Sequence, residues 1–149
     1  MVLGIVRGQE PHKGKLSLPG GFLNVGIETI EACAARELME ETGLCRPLNT
    51  FCPVVVQSNP NRDPRGHVID HVYSVVVTKR QLRSAVAGDD AAKIEFKVIS
   101  SNDYFNSSYR YDTQGNLAGG AWTDDWAFDH GISLYRFLQK NRIFDAYYD

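Results

Sequence analysis

Cysteine is scarce in this chain, neither sign of charge dominates, and no long apolar run occurs; each absence removes a class of protein. Cys33, Cys45 and Cys52 are odd in number and contain no C-x-x-C pair, which argues against a disulfide framework or a thiolate zinc site and leaves reduced, buried thiols as the expectation. Lys and Arg total 16 against 18 Asp and Glu, a net charge of -2, so no basic field exists to hold nucleic acid by its phosphates. No stretch approaches the roughly 18 apolar residues of a membrane span, and no signal-peptide pattern opens the chain. The expectation is a cytoplasmic protein with neither a membrane nor a nucleic-acid partner. Repeats, charge blocks and Pro/Ser-rich linkers are missing too. At 149 residues, 43% hydrophobic and 23% charged, the chain reads as one domain over 1–149.

Several elements are legible in what is present. Val2 to Val6 is an apolar run that predicts a strand, followed by a polar turn from Gly8 to Gly14 and a second strand near Leu16 to Leu18. Pro19-Gly20-Gly21 breaks the chain. From about Glu28 to Thr42 the composition turns to Glu, Ala, Leu and Met, which predicts a helix stopped at Gly43, with Leu44 folding back on Met39. Val54 to Gln57 and Val68 to Thr78 are β-branched runs around a polar, proline-bearing loop, and Lys93 to Ser100 predicts one more strand. Residues 101 to 127 show little periodicity and read as a long loop. His130 to Asn141 returns to helical spacing, with Ile132, Leu134, Tyr135 and Leu138 as its apolar stripe. This order implies an α/β sandwich with a mixed sheet.

The chemistry lies in the first helix. At ~100° per residue, Glu37, Glu40 and Glu41 fall on one face, which continues toward the N-terminus through Ile30, Cys33 and Ala34 and is therefore expected to point into protein. Like charges at these spacings repel, and the last helical turn disfavours anions. At about 6 Å and an effective dielectric of ~20 the repulsion reaches about 3 kcal/mol per pair. A divalent cation removes that penalty. Carboxylates without nearby His or Cys suit Mg²⁺, or Mn²⁺, better than zinc, and Mg²⁺ prefers one or two carboxylates plus substrate phosphate oxygens. The alternative is a solvated Glu-rich surface helix, which the adjacent glycine turn disfavours because backbone there can approach a metal or phosphate closely.

The stretch Arg36-Glu37-Leu38-Met39-Glu40-Glu41-Thr42-Gly43-Leu44 resembles the second half of the Nudix box, with seven residues between Glu28 and Arg36. The first half departs from that pattern, because Gly21 and Glu28 enclose six residues where the box has five. The resemblance implies the Nudix α/β/α sandwich with a mixed β-sheet and Mg²⁺-dependent hydrolysis of a nucleoside diphosphate linked to another moiety. By it, Glu37, Glu40 and Glu41 hold metal with the Gly21 carbonyl, Glu40, Glu41 and Arg36 are catalytic, and Glu28, Gly20 and Gly43 support the motif, Glu28 through the arginine. Arg62-Asp63-Pro64-Arg65-Gly66 and Gly88-Asp89-Asp90-Ala91-Ala92 are similar to segments of the ADP-ribose pyrophosphatase group, including the Nudix half of bifunctional nicotinamide-nucleotide adenylyltransferases. The implied reaction is ADP-ribose to AMP and ribose 5-phosphate. Two rivals remain open: hydrolysis of oxidised nucleotides such as 8-oxo-dGTP, and ADP-ribose sensing without cleavage.

Outside the helix, Arg62 and Arg65 are candidates to grip phosphate or ribose, against an ordinary polar loop tip. Trp122 is a candidate for stacking on a base or for a dimer contact, whereas Phe128 is expected in the core. The proton acceptor is a helix glutamate or an acid of the long loop such as Asp124 or Asp125. His12 is expected to decorate a turn, and His67, His71 and His130 are too scattered for a metal triad, so a strand or helix-end hydrogen bond is expected of them. Nudix domains usually carry more chain before the first strand, so an edge strand is expected to be missing or supplied by a second subunit in a homodimer.

Overall fold

A computed structural model describes residues 2–88, 91–97, 110–111, 117–119 and 125–141. The first strand, β1 (Val2–Arg7), pairs antiparallel on one side with the short β2 (Leu16–Ser17) and on the other with β5 (Ala91–Lys97), so it lies between two neighbours. Ile5 faces Ile94 in that ladder and is buried. Gly4 packs closely against Trp126, where a Cβ would lie 3.2 Å from the ring. A second antiparallel pair joins β3 (Cys52–Gln57) to β4 (Asp70–Ser74). A third joins β6 (Arg110–Tyr111) to β7 (Leu117–Gly119). The parallel link that makes the β-structure mixed is a bridge between Leu16 and Trp126, and Ala127 N–H donates to the Leu16 carbonyl. The expected α/β class holds.

Helix α1 (Ile30–Thr42) begins two residues later than composition predicts, because Thr29 is its cap: the hydroxyl accepts from Ala32 N–H at 3.2 Å. At the other end Gly43 takes a left-handed conformation, φ 70°, and returns its N–H to the Met39 carbonyl, a turn that other residues adopt only with strain. Leu44 is buried while Met39 stays half exposed, and the Leu44 N–H donates to the Thr42 hydroxyl. Replacing Thr29 with Ala should remove about 1 kcal/mol of stability, read as a lower urea midpoint with unchanged slope.

Two further elements were not expected. A 3-10 turn spans Leu48–Thr50, and a five-residue helix, α2 (Lys79–Arg83), sits where the β4 strand was predicted to have just ended at Thr78. The strand stops at Ser74. Thr78 and Gln81 form a reciprocal capping box that starts α2. The predicted loop at 101–127 contains the β6–β7 hairpin. The last described helix, α3 (His130–Lys140), lays Leu134, Tyr135 and Leu138 against Leu16 and Trp126 to form the core. Cys33 is a buried free thiol, as expected, whereas Cys45 and Cys52 are free and exposed, one beyond the α1 stop and the other at the open start of β3. No helix among the described residues is long and apolar enough to cross a membrane.

Candidate active site

The Gly20-Gly21 turn leaves β2 and runs directly past α1. Gly20 N–H donates to Glu41 Oε2 at 2.8 Å, which fixes that carboxylate at the C-terminal end of the helix. A Cβ on Gly21 would lie 2.3 Å from Glu37 Oε1, so any larger residue there would have to displace the Glu37 carboxylate. Within the remainder of the loop, Asn24 N–H donates to Glu28 at 3.0 Å.

Arg36 organises the rest. Its Nε and Nη2 donate to the two oxygens of Glu28 at 3.0 and 2.8 Å, while Nη1 donates to both Glu37 at 2.7 Å and Glu40 at 2.9 Å. Nη2 also reaches the Phe22 carbonyl at 3.1 Å. One guanidinium thus bridges three carboxylates, offsetting one of their three charges, and pins the loop. The hydrogen bonds from Arg36, then the one from Asn24, draw the Glu28 carboxyl down to about 2. Its hydrogen bonds to Glu28 and then to Glu37 hold the Arg36 proton more firmly.

This arrangement corrects the expectation of a uniformly buried acidic face. The Glu37 side chain is 13% exposed but that of Glu40 is 56% exposed, so the low-dielectric repulsion applies poorly to Glu40. Glu37 and Glu40 converge on Arg36 Nη1, and Glu41 is turned to Gly20. Among the described residues no three His, Cys, Asp or Glu side chains form a ready-made ligand set. The donor chemistry still fits a hard divalent cation. Three carboxylates occupy one end of one helix, and the close approach of Gly21 to Glu37 brings backbone beside them.

The β5 side completes the helix end. Val86 N–H donates to the Thr42 carbonyl and Gly88 N–H to the Glu41 carbonyl, both at 3.0 Å, satisfying carbonyls the helix itself leaves open. A Cβ on Gly88 would overlap the Glu40 carbonyl oxygen. That contact gives Gly88 of the singled-out Gly88–Ala92 segment a physical role; residues 89 and 90 lie outside the described residues.

The two loop arginines part company. Arg65 holds Asp63 through Nε and Nη2, at 2.9 and 2.7 Å, and its guanidinium stacks 5.1 Å from both the Phe22 and the Phe128 ring centres, beside the Gly20–Phe22 turn. Hydrogen bonds from Arg65 bring the buried Asp63 carboxyl down to about 2. Arg62 instead points inward. Its side chain is 5% exposed and is paired with both oxygens of Asp129 and with Asp70 at 3.1 Å, so in this structure it is a buried strut and not an exposed phosphate grip.

Trp122 and Asp124 lie outside the described residues, and Asp125 is exposed. Phe128 departs from its predicted place in the core. It has φ 52°, carries Arg7 at 4.9 Å as well as Arg65, and meets the edge of His12 at 4.8 Å. Sequence reasoning missed Arg7 altogether, since a strand-end arginine gives no signal of its partners. His130 takes a hydrogen bond from Leu18 N–H on Nδ1 at 3.0 Å; burial drives its pKa down to about 4. His67 lies 3.1 Å from the Ser58 carbonyl, and His71 is exposed on β4.

Residues 2–114 match the NUDIX domain family. The chain is 45% identical over 95 residues to an ADP-ribose pyrophosphatase of Methanocaldococcus jannaschii, covering 64% of this chain and 53% of that one. It is 35% identical over 77 residues to the ADPR responsive transcriptional repressor NtrR of Acinetobacter baylyi, covering 51% of this chain and 30% of that protein. A crystal structure of a MutT/nudix family protein from Enterococcus faecalis superposes with a TM-score of 0.72 at 27% identity, over 96% of this chain and 54% of the other. The chain thus spans about half the length of the first of these relatives and of that structure, and less of the repressor. With a match over 2–114 that takes in the glycine turn, the arginine-bridged glutamates and the flanking strands, the chain belongs to the NUDIX domain family.

Proposed function

We propose that this chain is a Mg²⁺-dependent pyrophosphohydrolase that cleaves ADP-ribose to AMP and ribose 5-phosphate. The observation that carries the reading is the Arg36-centred carboxylate cluster against Gly20-Gly21, in a chain 45% identical to an ADP-ribose pyrophosphatase. Glu37, Glu40 and Glu41 would hold the ion, with the Gly21 carbonyl; Mn²⁺ suits the same donors. Such an ion, when bound, neutralises phosphate oxygens and makes a bound water more acidic.

The chain's own residues do the rest. Glu41, anchored by the Gly20 N–H at the end of the helix, is the carboxylate that accepts a proton from the attacking water. Arg36 fixes the rotamers of Glu37 and Glu40 and supplies positive charge that stays in place when they turn to new partners. Arg65, stacked on Phe22 beside the turn, is positioned to hold the substrate's phosphate or ribose end.

The test is a product assay. With Mg²⁺ the full chain should release AMP from ADP-ribose, should lose that activity in EDTA, and should act poorly on 8-oxo-dGTP. Similarity to an ADPR responsive repressor favours one second reading, ADP-ribose binding without cleavage. Saturable binding with no AMP formed would select it, and preference for 8-oxo-dGTP would replace both.

A further inference from the structure

Glu40 and Glu41 stand in the last turn of α1, where a helix leaves carbonyls without partners of its own. One neighbouring segment supplies two of the missing donors, Val86 N–H to Thr42 and Gly88 N–H to Glu41. At Gly88 the approach is closer than a side chain allows. A Cβ there would lie 1.9 Å from the Glu40 carbonyl oxygen, 2.9 Å from its carbonyl carbon and 3.1 Å from Glu41 Cα. All three are backbone atoms, so they cannot swing aside as the Glu37 carboxylate beside Gly21 can. The demand at Gly88 is for room and not for backbone freedom, since its φ lies outside the left-handed region. Three residues on, Ala91 opens β5, which pairs along β1 and so anchors the segment in the sheet. Glu41 is thereby held twice, its carboxylate by Gly20 N–H and its main chain by Gly88 N–H.

We propose that Gly88 is a positioning residue for the site: by letting the β5 side press directly on the last turn of α1, it sets where Glu40 and Glu41 stand relative to the Gly20-Gly21 turn. The inference rests on the reading that Glu37, Glu40 and Glu41 hold a divalent ion, and adds what fixes the last two. A methyl group at position 88 must part the segment and the helix end by about 1 Å or more, and supporting contacts that loose no longer hold a site in its working geometry. The strand beyond is held by a full ladder, so the displacement falls on the helix end. Glu40 and Glu41 move with it, whereas Glu37, one turn earlier, keeps its place on Arg36. A hard ion that demands near-ideal ligand directions then binds more weakly. Gly88 itself touches neither ion nor substrate.

Calorimetric titration of the full chain with Mn²⁺, without substrate, tests the role. Gly88→Ala should weaken Mn²⁺ binding by about tenfold or more. Thr29→Ala is the control, because it loosens the far end of the same helix and should leave Mn²⁺ affinity within about twofold of wild type. If Gly88→Ala does not fold, amide exchange in the wild type decides. Saturating Mg²⁺ should slow exchange of the Gly88 amide by about fivefold or more, because coupling between the brace and the ion is reciprocal. The Cys33 amide, bonded to the Thr29 carbonyl at the other end of α1, should change far less. Mn²⁺ affinity of folded Gly88→Ala within twofold of wild type overturns the proposal, as does an equal loss in Thr29→Ala or, in the exchange experiment, a Gly88 amide that responds no more than Cys33. Failure of the wild type to bind Mn²⁺ overturns it together with the metal reading. If Mn²⁺ binds and Gly88→Ala weakens it while ADP-ribose is not cleaved, the positioning role stands and the substrate reading fails.

Discussion

Glu41→Gln should lower Mg²⁺-dependent turnover of ADP-ribose by about 10²–10³-fold or more, the range for losing one electrostatic stabiliser or proton acceptor at a reacting centre. The substitution keeps volume and one carbonyl oxygen, so Gly20 N–H retains an acceptor and the turn keeps its anchor. What disappears is the charge. The loss should therefore fall on kcat, with the melting temperature and the affinity for uncleavable analogue changed far less. Glu40→Gln makes a useful contrast, because that carboxylate is mostly exposed and shares Arg36 Nη1 with Glu37. Its removal leaves Arg36 bound to Glu28 and Glu37, so the scaffold should survive. Turnover by Glu41→Gln within threefold of wild type would place the proton acceptor elsewhere, and the next candidates are acids beyond the hairpin β6–β7.

The helix that bears these acids was readable because its signals are local: Ala, Leu, Met and Glu in sequence, and a glycine at the stop. Even there the start was misplaced, since Thr29 ends the preceding turn by capping the helix and Glu28 is spent on Arg36. Helix α2 escaped notice because five residues give no apolar period; the Thr78-x-x-Gln81 capping box was the one signal available. Strands of two and three residues, as in β6 and β7, leave no alternation to read. At the site, helical spacing brought the glutamates to one face but could not show that Arg36 bridges Glu37 and Glu40. That depends on how the six residues between Gly21 and Glu28 fold back, which is a property of the loop and of Asn24. The partners of Arg62 were equally hidden. Asp129 lies 67 residues away, so a loop that looks exposed in sequence is fastened to the start of α3.

That fastening carries the second large effect. Arg62→Met should cost about 3–5 kcal/mol at neutral pH, because it leaves Asp129 and Asp70 in a largely buried place without their counter-charge. Burial already raises the Asp70 carboxyl, with Arg62 the leading opposing influence, so the substitution pushes it further up. A carboxyl whose folded pKa exceeds its unfolded value binds more protons when folded, and stability is regained as pH falls through that folded value. His130, 3.9 Å from Asp70, works in the opposite direction. Its folded pKa of about 4 lies below the usual 6.5, so its contribution is complete above about 6.5 and is lost as pH falls toward 4. For a shift of that size the loss is on the order of 3 kcal/mol in the wild type. Arg62 is one of the charges holding the imidazole neutral, and without it that acid loss should shrink. Both changes act in one direction: the stability gap between wild type and Arg62→Met should be widest near pH 7.5 and should narrow by pH 5. Urea unfolding at the two pH values measures it. A gap that stays constant would mean that Arg62 acts through packing alone, and that its ion pairs with Asp129 and Asp70 add no net stability.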